Sequence, residues 1–265
     1  MPKWLRWIVD RFFIKQPRLR LAVTRALETD HDETINLMGA PVRINTVKEH
    51  GYLRAWRKSL TSSVLSDEVS VLISLATVLQ DGDTFVDIGA NVGLFTAILA
   101  RGRHYWPNIK FYAFEANPDT YQRLCETLKG LDVKVFPVAL SDHAGSLRFV
   151  EGAVSHIFTA EEHAGPFNVP KWTQNVTCDR LDNFRLDGDS FVLKIDVEGQ
   201  EREVLSGATR YFEEGLVKAV YLDGYKDPAV KQMLLDWGFE LFDGRTLAPS
   251  PEPGFSVLAL RDRSD

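Results

Sequence analysis

Residues 84–96 read TFVDIGANVGLFT, and this stretch decides the fold. It predicts a short buried strand, a tight turn that contains two glycines, and the start of a helix. Gly89 and Gly93 let the backbone turn sharply and approach a ligand closely. Their Gly-x-x-x-Gly spacing matches neither the Gly-x-Gly-x-x-Gly of dinucleotide enzymes nor the Gly-Lys-Ser/Thr of a phosphate-binding loop, so neither a pyrophosphate nor a triphosphate is indicated. A turn that serves only to pack the strand on the helix is the alternative.

Outward from this stretch, short apolar segments alternate with helical ones. Strands are predicted at 84–88, 110–115, 132–138, 191–196, 217–222, 239–242 and 255–260. Helices are predicted at 93–101, 118–129, 200–214 and 227–237. This alternation is typical of βαβ units, so we expect a Rossmann-like α/β fold with a mainly parallel sheet and helices on both faces.

The alternation is absent from two segments. Towards the N-terminus, residues 41–45 suggest a short strand, and Ser66 begins a helix with acids in its first turn. Later in the chain, a half-buried strand is expected at 146–150, in an insertion that has no place in the alternation and that we assign to the substrate side. The predicted organisation is an N-terminal amphipathic helix and lead-in segment at 1–65, and one main domain at 66–265 with an insertion around 143–178.

Two acids at strand ends suit a nucleoside that carries an amino acid. Asp87 ends the first strand, where its carboxylate can pair with the ammonium group of a methionine moiety. The loop amides of Ala90 and Asn91 can face the carboxylate of that moiety. Glu115 ends the second strand 22 residues after Gly93, and an acid near this offset commonly binds ribose hydroxyls. The alternative for Glu115 is a glutamate that faces solvent.

Polar residues after the second and third strands complete the predicted donor site. Asn117 can cap the next helix and Pro118 suits its first position, which leaves Glu115 at the carboxyl edge of the sheet, where ligands bind. After the third strand, Ser141 and Asp142 form a polar turn that can receive an adenine, with Asp142 accepting from its amino group. Asp142 is also an ordinary turn former, which is the alternative.

Four segments in this order resemble the FkbM family of methyltransferases. They are Asp83–Phe95, Phe114–Pro118, Val138–Asp142 and Leu193–Glu201, within a resemblance that spans roughly residues 65–243. The resemblance implies S-adenosylmethionine as the methyl donor and a sheet of seven strands whose last strand is inserted antiparallel. It also implies methylation of hydroxyl groups on sugars, polyketides or other secondary metabolites.

The fourth strand ends at two further carboxylates. Methyl transfer from a sulfonium is an in-line displacement, so the protein must align the acceptor and remove the proton of a hydroxyl. Asp196 and Glu198 lie next to the expected donor methyl group, where one can orient the acceptor while the other takes the proton. Alternatively, Glu198 accepts backbone amides at the start of the helix near Gln200. Lys194 is expected to be a structural ion partner or a surface residue.

The insertion offers a more conventional base. His156 is our first choice, because it lies in a predicted strand or loop over the site and the pKa of histidine suits proton abstraction near neutrality. The alternative is that His156, like most histidines in polar loops, is non-catalytic. Asp196, Glu198 and Asp223 together can bind a divalent cation, but no ligand spacing is diagnostic, so a metal site is not favoured.

Composition and charge narrow the partners. The net charge of −6 argues against a nucleic-acid partner. Residues 1–25 carry seven basic residues against one acid, with Trp4, Ile8 and Phe12 on one side of a predicted helix. This helix can contact a membrane surface peripherally, or it can pack on the main domain or on a second subunit. The two cysteines show no metal-like or disulfide spacing and no apolar segment marks a signal peptide or membrane span, so we expect a cytoplasmic protein.

These patterns together predict an S-adenosylmethionine-dependent O-methyltransferase that acts on a hydroxylated small molecule or a glycan. An N-methyltransferase with the same fold and donor is the second interpretation. The third is a methyltransferase-like binding module that has lost its chemistry. The intact Asp87, Gly89, Gly93 and Glu115 argue against this third interpretation.

Overall fold

The computed structural model describes residues 23–58, 63–151, 158–160, 173–250, 252 and 256–261. The strands in these ranges are β1 (Asp32–Leu37), β2 (Ala40–Asn45), β3 (Thr84–Ile88), β4 (Lys110–Phe114), β5 (Lys134–Phe136), β6 (Ala139–Leu140), β7 (Gly145–Glu151), β8 (Phe158–Ala160), β9 (Thr173–Asp179), β10 (Phe191–Ile195), β11 (Val217–Leu222), β12 (Glu240–Asp243) and β13 (Val257–Leu260). The α-helices are α1 (His50–Lys58), α2 (Ser63–Val78), α3 (Leu94–Arg101), α4 (Pro118–Thr127), α5 (Glu201–Ser206), α6 (Thr209–Glu213) and α7 (Pro228–Asp236).

Seven strands form the central sheet in the order β12-β13-β11-β10-β3-β4-β5. The five adjacent strands from β11 to β5 run parallel to one another, whereas β13 runs antiparallel to both β11 and β12. The strand order reverses between β3 and β10, and open α/β sheets bind ligands at such a switch point. The expected seven-stranded, mainly parallel sheet with one inserted antiparallel strand is confirmed.

Most predicted elements lie where the pattern placed them, with two clear exceptions. The helix predicted to begin at a capping Ser66 begins at Ser63 as α2, so Ser66 lies inside the helix and does not cap it. Strands β3 and β11 agree residue for residue with the predictions at 84–88 and 217–222. The single helix predicted at 200–214 is wrong, because the chain forms α5 and α6 instead. The Asp182 amide donates to the Gly207 carbonyl at 2.9 Å, which draws that carbonyl away from helical pairing at the break.

The central sheet is covered on both faces, as the predicted fold requires. Every residue of β3 and β10 is buried, and alternate side chains point to opposite cores. Val86 and Leu193 pack in the core that α5, α6 and α7 share, whereas Phe85 and Val192 pack in the core that α2 and α3 share. Full burial of one such side chain contributes about 1.5–3 kcal/mol, so the two layers hold the edge of the sheet rigidly.

The predicted insertion contributes most of a second, four-stranded sheet with the order β6-β9-β7-β8. The strand expected at 146–150 is confirmed as part of β7, which pairs antiparallel with β9. Leu147 and Cys178 form a small core that packs against Ala116 and Ala139. Ala116 follows β4 and Ala139 begins β6, so the second sheet lies beside the carboxyl edge of the central one.

The lead-in segment packs against the same domain. Strands β1 and β2 form an antiparallel hairpin, of which only the second strand was predicted. Val42 of this hairpin shares a core with Leu94 of α3 and Leu124 of α4. A buried ion pair, with Arg123 3.1 Å from Glu49, adds a polar link between α4 and the segment after β2. None of the helices in the described ranges is both long enough and apolar enough to cross a membrane.

Candidate active site

The glycine turn after β3 brings three strands together. The amides of Gly89 and Ala90 both donate to the Phe114 carbonyl of β4, at 3.0 and 2.9 Å. Gly89 has a φ of 73°, and a Cβ there would lie 1.9 Å from the Asp196 carbonyl oxygen. Gly93 has a φ of 81°, and its Cβ would lie 2.5 Å from the Leu124 side chain. Both positions therefore require glycine, Gly89 for the approach to β10 and Gly93 for packing on α4.

The carboxylate of Glu115 is tied to this turn. One oxygen accepts the Asn91 amide at 2.9 Å and the other accepts the Asn117 amide at 2.8 Å. Burial raises the pKa of Glu115 to about 7, although these two hydrogen bonds pull the pKa downwards. The side chain lines a pocket at the end of β4, so Glu115 is not the solvent-facing glutamate of the alternative interpretation.

Asn117 shapes the site without lining it. Its side-chain oxygen accepts the amides of Asp119 and Thr120 at 3.1 and 3.0 Å, so the predicted cap of α4 is confirmed. The Asn117 side chain is buried beneath the turn. Direct contact between Asn117 and a donor stays a prediction.

The donor pocket, as we name it here, is a cavity open to solvent at the carboxyl ends of β3, β4 and β10. Its polar lining residues are Asn91, Glu115, Thr120, Asp196, Glu198 and Gln200. Its apolar wall consists of Ile88, Phe114, Val138, Leu140, Leu147, Phe149 and Val197, with the small residues Gly89, Ala116 and Ala139. A polar end next to an apolar slot suits a sugar joined to a flat base.

The turn after β6 differs from its prediction. Ser141 is buried and its amide donates to the Asp179 carbonyl at 2.9 Å. Asp142 is exposed and pairs with His143 at 2.7 Å, and this hydrogen bond lowers the pKa of Asp142. Neither Ser141 nor Asp142 lines the donor pocket, whose wall is formed by the residues just before them. Their contact with adenine stays a prediction.

A buried ion pair links β3 to β10. Lys194 lies opposite Asp87 in the register of the two strands, and its Nζ lies 3.0 Å from Asp87 Oδ1 and 3.7 Å from Asp196 Oδ2. Thr96 donates to the second oxygen of Asp87 at 2.7 Å. Burial alone would lower the pKa of Lys194, but Asp87 and Asp196 more than offset it and the pKa is raised.

The predictions made from the sequence for Lys194 and for Asp87 have different outcomes. Lys194 is confirmed as a structural ion partner. Asp87 is fully buried and does not line the donor pocket, so its contact with a methionine ammonium group stays a prediction. The geometry instead places Asp87 behind Lys194, where it holds the ammonium group near Asp196.

A second pocket adjoins the first, and we name it the acceptor-side pocket. It is open to solvent and is lined by Asp196, Glu198, Gly199, Glu201, Asp223, Gly224, Tyr225 and Lys226. Asp196 and Glu198 line both pockets, so the two cavities meet at this pair of carboxylates. Asp196 and Glu198 are also the pair of active-site carboxylates that the sequence predicts.

Crowding of acids perturbs this junction. Glu198 has a φ of 52°, and the Gly199 amide after it donates to Glu201 at 2.9 Å. Burial, and then the charges of Asp196 and Asp223, raise the pKa of Glu198 to about 7. The same causes, burial and then the charge of Asp196, raise the pKa of Asp223 to about 6. Both groups therefore titrate within the range in which a general base works best.

Tyr52 of the lead-in and Glu68 of α2 reach the same charge cluster, and the sequence predicted a functional role for neither. Tyr52 of α1 donates to Glu68 of α2 at 3.2 Å. Burial, and then the charge of Asp196, raise the pKa of Glu68 to about 7, while Lys194 acts to lower it. Neither residue belongs to a recognisable motif, so no sequence signal pointed to them.

Other predicted residues lie elsewhere. His156 is outside the described residues, as are residues 1–22 of the predicted amphipathic helix, and the predictions for them stay predictions. In the described part of the chain, no three histidine, cysteine, aspartate or glutamate side chains are arranged to hold a metal ion.

Fold and pockets together define the class of protein. The strand order, the glycine turn and the pocket at the switch point are those of an S-adenosylmethionine-dependent methyltransferase with a Rossmann-like fold. The model of the methyltransferase FkbM domain matches residues 87–241, which is more than half of the chain, and the chain belongs to this family.

Two relatives extend the comparison. Hexuronic acid methyltransferase AglP of Haloferax volcanii is 27% identical over 166 residues, which cover 62% of this chain and 66% of AglP. Methyltransferase sdnD of Sordaria araneosa is 30% identical over 221 residues, which cover 69% of this chain and 83% of sdnD. The match thus spans just under two thirds of the length of AglP.

Solved methyltransferase structures also match. A precorrin-6y C5,15-methyltransferase of Geobacter metallireducens gives a TM-score of 0.40 at 16% identity, with 78% of this chain and 92% of that chain covered. Fibrillarin of Aeropyrum pernix, solved with bound S-adenosyl-L-methionine, gives 0.41 at 12% identity, with 90% and 86% covered.

Proposed function

We propose that this methyltransferase transfers the methyl group of S-adenosylmethionine to a hydroxyl group of a sugar, a glycan or another small metabolite. The observation that carries this proposal is the sharing of Asp196 and Glu198 between the two pockets. A donor in the first pocket and an acceptor in the second meet between these carboxylates, which gives the alignment that an in-line displacement needs.

The donor pocket has the features that this donor requires. Glu115 is held by two backbone amides and keeps further lone pairs for ribose hydroxyls, while Phe114 and Leu140 offer an apolar wall for adenine. When bound, the donor supplies a methyl group on a positively charged sulfonium with its own leaving group.

The acceptor needs a base and an orienting group. We assign the base to Glu198, because a pKa of about 7 leaves both of its protonation states populated near neutrality. We assign the orienting role to Asp196, which Lys194 holds from below at 3.7 Å. His156 remains the competing base.

Two conservative variants test these roles. We expect Glu198→Gln to lower turnover by about a hundredfold or more, since general base catalysis contributes about 10²–10⁴-fold. We expect Asp196→Asn to lower turnover while calorimetry shows nearly unchanged donor affinity. Asp132→Asn is the control, because its side chain is 78% exposed and pairs only with Arg103 among the described ion pairs. Turnover is measured as donor-dependent methylation, with the acceptor found by screening hydroxylated sugars and amines.

The outcomes separate the parts of the proposal. Normal turnover of Glu198→Gln would remove it as the base and favour His156. A wild-type chain that binds no S-adenosylmethionine at millimolar concentration would refute the donor. Donor binding without methylation of any compound would favour a binding module.

N-methylation is the second candidate function. The carboxylates of the acceptor-side pocket favour an amine as well as a hydroxyl group. Fragmentation of the methylated product by mass spectrometry distinguishes a methyl group on nitrogen from one on oxygen.

We further propose that the basic segment at 1–25 keeps a cytoplasmic protein near anionic lipid surfaces. Co-sedimentation with anionic vesicles should decrease with salt, and a chain that starts at residue 26 should lose it. Equal sedimentation of the two chains would count against membrane binding and would favour packing of this segment on the domain or on a second subunit. Size-exclusion chromatography would detect the second subunit.

A further inference from the structure

The acceptor-side pocket carries an unbalanced charge. Among the described residues that line it are four carboxylates and one ammonium group: Asp196, Glu198, Glu201, Asp223 and Lys226. Lys194 does not restore the balance, because its ammonium group also pairs with the buried Asp87.

The carboxylates are held close by the backbone. Asp223 follows β11 and its amide donates to Ile195 at the end of β10 at 3.3 Å, next to Asp196. Glu201 begins α5 and accepts the Gly199 amide at 2.9 Å, in the turn that carries Glu198. The rigid sheet edge therefore prevents the acids from spreading apart.

The raised pKa values of these carboxyl groups reflect the repulsion between them. After burial, the charge of Asp196 is the next largest cause that raises the pKa of Glu198 to about 7 and that of Asp223 to about 6. The same holds for Glu68 behind them, whose pKa is raised to about 7. An entering hydroxyl or ammonium group would donate to these oxygens, whereas an entering carboxylate or phosphate would add to the repulsion.

We propose that this pocket accepts neutral hydroxylated or positively charged acceptors and rejects anionic ones, with Asp223 and Glu201 as the residues that determine the selection. The proposal rests on the proposed function, because it requires the acceptor to enter the second pocket. It separates this chain from a relative that is named for hexuronic acid, since a uronate would bring its own negative charge to the four carboxylates.

The test uses two donor analogues that need no known acceptor. Both are S-adenosyl sulfonium compounds, one with a carboxymethyl group on sulfur and one with the isosteric, uncharged carbamoylmethyl group. The added group projects from sulfur towards the junction of the two pockets. We expect calorimetry at pH 8 to show about tenfold weaker binding of the carboxymethyl analogue to the wild-type chain.

Variants and pH assign the effect to the acids. Asp223→Asn and Glu201→Gln should each bring the ratio of the two dissociation constants closer to one. Asp132→Asn on the surface should leave this ratio unchanged. At pH 5 the ratio of the two dissociation constants should also move closer to one. The pKa of Glu198 is about 7 and that of Asp223 is about 6, so both groups are mainly protonated at this pH.

Equal affinities of the two analogues at pH 8, or a preference for the carboxymethyl compound, would overturn the inference and leave the donor assignment standing. If both groups are too large to bind, the comparison moves to S-adenosylhomocysteine and an analogue with an ammonium group at the methyl position. The wild-type chain must then show a larger ratio of affinities, ammonium compound over S-adenosylhomocysteine, than the Asp223→Asn variant shows. An equal ratio in the two proteins overturns the inference. A chain that binds no S-adenosyl compound at all refutes the proposed function instead.

Discussion

Lys194→Met removes the ammonium group that lies between Asp87 and Asp196. The side chains of Lys194 and Asp87 are 3% and 0% exposed, so the variant leaves a carboxylate in the protein interior without its counter-ion. Loss of one partner from a buried ion pair costs about 3–5 kcal/mol. Because the free energy of unfolding of a domain is about 5–15 kcal/mol, we expect the variant to fold but to unfold at a much lower free energy.

Urea unfolding followed by circular dichroism measures this loss. For a slope of about 3 kcal/mol per M, a loss of about 4 kcal/mol lowers the midpoint by about 1.3 M. The double variant Asp87→Asn with Lys194→Met should recover more than half of the loss, because asparagine is uncharged and still accepts the Thr96 hydroxyl.

The control for this experiment is Lys134→Met. Lys134 pairs with Asp187 at 2.9 Å, but their side chains are 62% and 60% exposed, so we expect no resolvable change in the midpoint. If Lys194→Met unfolds at the urea concentration of the wild type, or if the double variant is no better than the single one, the reasoning from burial is refuted.

Gly89→Ala places a Cβ 1.9 Å from the Asp196 carbonyl oxygen, so we expect calorimetry to show no donor binding, and wild-type affinity would contradict the close approach. Asn117→Ala removes the cap of α4 and should lower the free energy of unfolding by about 1 kcal/mol in urea; an unchanged midpoint would count against the cap. The pKa of Glu68 is raised from 4.5 to about 7 in the folded chain, so the stability it contributes is full below pH 4.5 and is lost as the pH rises through 7. Glu68→Gln should therefore gain stability relative to wild type between pH 5 and pH 8. The prediction is wrong if the urea midpoints of the two proteins differ by the same amount at every pH in this range. Burial raises the pKa of Glu115 to about 7, so donor affinity should fall as the pH drops through 7; Glu115→Gln should show weak, pH-independent binding, and a retained pH dependence would assign the titration to another group.

The glycine turn and the position of Glu115 could be predicted because their signals are local. A buried strand that ends in a glycine turn is visible in consecutive residues, and Gly89 and Gly93 do occupy positive φ. The position of Glu115 follows from the strand before it and from Asn117, which begins the next helix. Spacing along the chain was therefore sufficient for these residues.

The pairing of Asp87 with Lys194 could not be predicted in the same way. The two residues are 107 positions apart, and they meet because β3 and β10 are neighbours in one particular register. A sequence pattern does not specify that register, since many apolar strands are equally suited to a parallel sheet. The sequence therefore indicated a ligand contact for Asp87, which stays a prediction, but not its hydrogen bonds with Lys194 and Thr96.

The lining of the donor pocket near Ser141 could not be predicted either, for a different reason. The polar turn was recognised, but the pocket wall is formed by Val138, Ala139 and Leu140 just before it. A shift of one residue at a strand end moves a side chain from one face to the other, and periodicity does not resolve such a shift. Leu147 and Phe149 joined this wall from the insertion, through a strand whose partner could not be read from the sequence.

The position of Glu68 has an evolutionary consequence. The family match begins at residue 87, yet the charges of Asp196 and Asp223 act on Glu68, which Tyr52 holds from the preceding helix. Glu68 does not line the donor pocket, so we expect changes in the segment before the family match to affect the acceptor side of the site more than donor binding. Exchange of residues 50–78 between family members is therefore a route to transplant acceptor preference as a unit.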